Sequence, residues 1–256
     1  MQLTDTHTHI YYHAQSPELQ KQIDRCLANH IERLFLPNVD LSSVDQVMQT
    51  VAAYPDYCYA MLGLHPCSIK KEGFRDELLK LERILDQHTI YAVGEIGLDL
   101  YWDKTTFDEQ VEAFKIQVVW ATERNLPIVI HCREAFDELF ILLNKLKSEK
   151  LRGIFHCFTG DYDQALKAID FGFYLGIGGV VTFKNAGLDK VVKDIPLEHI
   201  VLETDSPYLA PVPFRGKENE SSYLLHIAQK VADLHHLPLE DIAAITTQNS
   251  KNIFGV

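Results

Sequence analysis

At 256 residues, with 46% hydrophobic and 23% charged residues, the chain has a globular composition with room for a sizeable core. No apolar run approaches the roughly 18 residues of a membrane span, and the start lacks the basic and apolar regions of a secretory signal, so a cytoplasmic protein is expected. The formal charge of −12 excludes a broad basic face for duplex nucleic acid, and five cysteines without a C-x-x-C pair exclude a disulfide framework or cysteine zinc ribbon.

The predicted elements alternate along the chain. Strands are expected at 2–9 (QLTDTHTH), 33–38, 57–64, 90–96, 127–131, 152–156, 172–178 and 199–205. Between the first two, Leu19, Ile23, Leu27 and Ile31 recur every fourth residue, which predicts a helix over 18–31. Further helices are expected at 41–53, 74–87, about 107–121 (Phe107, Val111, Phe114, Val118 and Ala121 on one face), 135–148, 161–171, 184–194, 220–235 and 239–252. The stretch from Pro207 to Gly216 reads as one long loop. Eight strands, each followed by a helix, fit a single α/β domain over 1–256, a (β/α)8 TIM barrel; a doubly wound open sheet is the competing arrangement.

The last residues of the strands carry the chemistry. His7 and His9 end the first, Glu95 the fourth, His131 the fifth, His156 the sixth and Asp205 the eighth, and all are metal-ligand types. A barrel brings these strand ends to one face, and residues two apart on a strand point to the same side. Packing does not explain such a set, because buried histidine and carboxylate groups need partners. Six side chains exceed one tetrahedral ion, so two ions sharing Glu95 is the economical arrangement. His7, His9, Glu95 and Asp205 would hold one, and Glu95, His131 and His156 the other.

The motifs D-T-H-T-H at 5–9, G-L-H-P at 63–66, G-E-I-G-L-D at 94–99, I-H-C-R at 130–133, F-H-C-F-T-G at 155–160, E-T-D-S-P-Y-L at 203–209 and R-G-K-E-N-E at 215–220 resemble the TatD family of metal-dependent deoxyribonucleases. The family usually has serine where Thr159 stands. The resemblance covers most of the chain. It implies an amidohydrolase-type TIM barrel, one or two divalent ions (Zn, Mg or Mn), and 3′ to 5′ hydrolysis of single-stranded nucleic acid with DNA favoured. It assigns the ligands to His7, His9, Glu95, His131, His156 and Asp205.

Catalysis is expected to rest on Glu95 and Asp205, with Asp205 as general base or as a ligand only. His65 is a candidate for contact with substrate or leaving group, against a histidine bonded to loop backbone. Arg133 is a candidate phosphate clamp, against a salt bridge to a neighbouring carboxylate. Asp5 and Glu203 are expected to orient ligand histidines. Cys132 and Cys157 are expected to turn away from the site and pack. Tyr11, Tyr12, Tyr101, Trp102 and Phe158 follow ligand-bearing strands, where aromatics either pack or stack unpaired bases. Lys104, Lys184, Arg215 and Lys217 are either solvated charges or phosphate contacts.

The alternative activity is an amidohydrolase or deacylase acting on a small-molecule, ester or aminoacyl-tRNA substrate. Many relatives of that architecture bridge their metals with a carboxylated lysine, where this chain offers Glu95. A histidinol-phosphatase barrel also begins H-x-H but normally ends in Asp-x-His, and Asp205 is followed by Ser206 and Pro207. A non-catalytic binding role is the third reading. No membrane partner is expected, and a monomer is favoured.

Overall fold

In a computed structural model that describes all 256 residues, the eight expected strands form one parallel sheet in sequential order. They are β1 (Leu3–Asp5), β2 (Ile31–Pro37), β3 (Cys58–Leu62), β4 (Ala92–Asp99), β5 (Ile128–Arg133), β6 (Gly153–Phe155), β7 (Phe173–Ile177) and β8 (Ile200–Leu202). Parallel neighbours require a long return, and each return carries a helix. These are α1 (Pro17–Ala28), α2 (Val44–Ala53), α3 (Phe74–Leu85), α4 (Phe107–Glu123), α5 (Phe136–Lys145), α6 (Tyr162–Asp170) and α7 (Leu188–Val192). After β8 come α8 (Leu224–His235) and α9 (Leu239–Phe254).

Closure between the first and last strands is made by the segments just beyond them. Thr6 N–H donates to Leu202 O, Asp205 N–H to His7 O and His9 N–H to Ser206 O, at 3.0, 2.9 and 2.8 Å. The sheet thereby becomes a TIM barrel, and the strand ends that carry His7, His9 and Asp205 lie side by side.

Inside, the strand period of two sets the layers. Phe35, Met61, Ala92, Val129, Ile154 and Val201 form an apolar layer with Ile253 and Phe254 from the end of α9, and Phe254 stacks on Phe35 with ring centroids 3.7 Å apart. Two residues beyond Val129, Ile154 and Val201 stand His131, His156 and Glu203. The polar layer thus lies directly on the apolar one.

Several expected helices are shorter than their patterns, two of them for a visible backbone reason. Ile31 does not end α1: the helix stops at Ala28, His30 turns left-handed at φ 61°, and Ile31 begins β2 opposite Leu3. Over 184–194 only Leu188–Val192 is α-helical, because Gly187, left-handed at φ 75°, redirects the chain just before it.

Candidate metal centre

The D-T-H-T-H segment divides its work by alternation. Thr6 Oγ1 donates to Leu202 O at 3.1 Å, and the Thr8 hydroxyl lies 2.7 Å from Ser206 Oγ and 2.8 Å from Ser221 Oγ. The threonines thus fasten this segment to the far end of the chain. His7 and His9 take the other side and face the barrel axis.

All six residues expected as ligands converge. His131 Nδ1 lies 2.7 Å from Glu95 Oε1, His156 Nε2 3.6 Å from the same oxygen, and His7 Nε2 3.2 Å from Oε2. Asp205 Oδ1 lies 3.5 Å from His9 Nε2, 3.8 Å from His156 Nε2 and 3.9 Å from His7 Nε2. The His7 and His156 rings stack with centroids 3.4 Å apart. His65 joins them, its Nε2 3.2 Å from Glu95 Oε1.

This donor set suits a divalent ion. Imidazole nitrogens and carboxylate oxygens are the ligands Zn and Mn prefer, and carboxylates also serve Mg. His7, His9 and Glu95 have ligand atoms within 4.8 Å of one another, as do His7, His156 and Asp205. Neither ring nitrogen of the fully buried His7 makes an aligned hydrogen bond, although Nε2 lies 3.2 Å from Glu95 Oε2. An unpaired buried polar group is costly, so a ring in that state calls for a further ligand.

Outer contacts aim the other histidines. His9 Nδ1 is 2.9 Å from Tyr11 Oη, His131 Nε2 2.9 Å from Asp99 Oδ2, and His156 Nδ1 2.9 Å from Glu203 Oε1. Gly176 makes room for the last pair, since a Cβ there would collide with the Glu203 carboxylate. Asp5 acts differently from expectation: it accepts from Thr204 N–H and Oγ1 at 2.9 and 2.6 Å and from His7 N–H at 3.3 Å. It orients backbone, not an imidazole, and its burial raises its pKa to about 7.

Electrostatics follow from crowding. Burial alone would raise the Glu95 pKa, but the charges of His65, His156 and His7 and the His131 hydrogen bond outweigh it and hold it well below the usual range. Burial likewise opposes ionisation of Asp205, and the His9 hydrogen bond with the His156 and His7 charges again prevails, lowering it. For His156 burial would lower the pKa, while Glu203, Glu95 and Asp205 together raise it to about 10. His7 and His65 are lowered, chiefly by burial.

A cavity of about 650 Å³ opens over this cluster. His65 lies in its wall and accepts from the Cys67 N–H on Nδ1 at 3.0 Å. Arg133 forms no salt bridge; its guanidinium sits 3.9 Å from the Tyr101 ring centroid and 5.3 Å from that of Trp102. Cys132 and Cys157 line the cavity instead of turning away. At Cys157 the reason is a left-handed bend, φ 44°, which breaks the strand alternation just past His156. Among the aromatics, Tyr11 and Phe158 are buried, whereas Tyr12, Tyr101 and Trp102 are exposed. Arg215 packs on Phe183 at 4.0 Å, and Lys217 lies 5.9 Å from the Phe214 ring.

The sequence does not single out Asp99 beyond its place in a motif. Asp99 closes the G-E-I-G-L-D motif four residues after Glu95, so an even spacing on one strand was the available signal.

A family model described as TatD related DNase matches residues 4–255. The metal-dependent hydrolase YabD of Bacillus subtilis is 39% identical over 255 residues, 99% of each chain. The metal-dependent hydrolase YcfH of Escherichia coli K12 is 32% identical over 266 residues, covering 100% of this chain and 97% of its own. Among solved structures, the TatD homologue YJJV of Escherichia coli K12 superposes with a TM-score of 0.93 at 27% identity, over 99% of this chain and 98% of that one.

Proposed function

Because the chain belongs to the TatD family of metal-dependent hydrolases, we propose that it cleaves phosphodiester bonds at unpaired nucleic-acid ends, acting from the 3′ end and favouring DNA. The observation that carries this reading is the gathering of three histidine-bearing strand ends around Glu95 and Asp205 at the floor of an open cavity.

In this reading His7, His9, Glu95 and Asp205 would hold one divalent ion, and Glu95, His131 and His156 would hold a second. Bound there, such ions acidify water toward neutrality and offset charge on the phosphoryl oxygens. Asp205, kept ionised by its histidine neighbours, takes the proton of the attacking water. His65 has its Nδ1 committed as acceptor from Cys67 N–H, so the neutral ring carries its proton on Nε2. That proton faces Glu95 Oε1, 3.2 Å away, and with the carboxylate engaged by metal it would be offered to a phosphoryl oxygen or to the departing oxygen. Arg133, with the face of its guanidinium on Tyr101, keeps N–H edges free to brace a neighbouring phosphate.

The test is digestion of a 3′-labelled single strand by purified protein with Mg²⁺, Mn²⁺ or Zn²⁺, run beside ester, lactone and aminoacyl-ester substrates. Shortening of the labelled strand is expected, faster than turnover of the esters. Natively folded protein that leaves the strand intact under every metal, or that hydrolyses the esters much faster, overturns the proposal.

A further inference from the structure

We propose that Tyr101, Trp102 and Arg133 form a subsite that stacks an unpaired nucleobase beside the metal pocket. The inference deepens the function just proposed and rests on it. Tyr101 and Trp102 are 50% and 68% exposed, with their rings packed edge to face on each other, centroids 5.0 Å apart, and not into the core. Arg133 covers the Tyr101 ring, and Trp102 also lines the cavity that holds Glu95 and His131. Aromatic faces and guanidinium planes are the surfaces on which splayed bases stack, and every base offers such a face regardless of sequence.

Placement ties this platform to the chemistry. Asp99 Oδ1 accepts the Tyr101 and Trp102 N–H groups at 3.0 and 2.9 Å, while Asp99 Oδ2 meets His131 Nε2 at 2.9 Å. One carboxylate therefore fixes both the aromatic turn and a ligand histidine. A base seated on Trp102 brings its phosphate toward the pocket without any broad basic face, which agrees with a net charge of −12.

The protein has two tryptophans, and Trp120 is buried, so the emission of Trp102 reports on the platform. Metal-loaded protein is titrated with a cleavage-resistant phosphorothioate strand and with an abasic strand of equal length and charge. The base-bearing strand is expected to quench Trp102 emission, the abasic strand not, and Trp102→Phe should lack the signal. In digestion assays the preference for base-bearing over abasic strands, read as the ratio of KM values, should fall by about 5- to 150-fold in Trp102→Ala and be largely restored in Trp102→Phe. Equal quenching by both strands, or an unchanged ratio in Trp102→Ala while wild type still digests DNA, overturns the platform and leaves the nuclease reading standing. Wild type that neither binds nor digests either strand overturns both.

Discussion

Glu95 is the residue on which the site turns, because His7, His65, His131 and His156 all lie within 3.6 Å of its carboxylate. Its neighbours Asp99 and Glu203 each hold one imidazole, Asp99 that of His131 and Glu203 that of His156. Asp99→Asn and Glu203→Gln are expected to lower metal affinity or activity by about 10- to 100-fold with little change in fold, read by metal titration and circular dichroism. The six candidate ligands were legible because their types, and their association with the predicted strands, are written in the sequence. Asp99 was signalled only by its even spacing from Glu95; its contact with His131 Nε2 depends on the β4–β5 register, which spacing alone does not fix. Arg133 was legible as a cation near the site; its seat on Tyr101 depends on how the turn after β4 folds back.

At the scale of elements, the barrel is shut by side chains as well as backbone. Thr8, Ser206 and Ser221 form a buried hydroxyl chain across the β1–β8 seam. Thr8→Val leaves two hydroxyls without a partner and is expected to cost about 1–3 kcal/mol in urea unfolding, with weaker metal binding because His7 and His9 flank the lost anchor. Native stability and affinity in this variant would show that the seam is held by backbone alone. The eight strands were readable from apolar runs at regular spacing. Their ends were not, because His30, Cys157 and Asp205 adopt left-handed conformations that hydrophobic periodicity does not register. That is why Ile31 passes from helix to strand and why Cys157 lines the cavity.

At the scale of the molecule, the interior of the barrel is an apolar layer supporting a polar one, and the polar layer competes between protons and metal. Metal-free His156, raised to about 10, carries a proton that must leave before the ring can ligate an ion. Apparent metal affinity should therefore rise with pH, by about tenfold per unit for each proton displaced, and level off near pH 10. Calorimetric titration in buffers of different ionisation enthalpy checks this through the proton released. Affinity that stays flat from pH 6 to 9 would contradict it. With −12 overall charge and only a few cations near the rim, strand binding should also weaken only shallowly with salt, log affinity falling by about 0.7 per phosphate neutralised for each tenfold rise in salt.

The most direct test of the account is metal content measured together with digestion in wild type and Glu95→Ala. Protein stripped, reloaded with Mn²⁺ and desalted is expected to retain about two ions per chain in wild type, and fewer than one, with strand digestion lost, in Glu95→Ala. A folded Glu95→Ala protein that keeps both ions and full activity would contradict the claim that Glu95 joins these histidines into one metal centre.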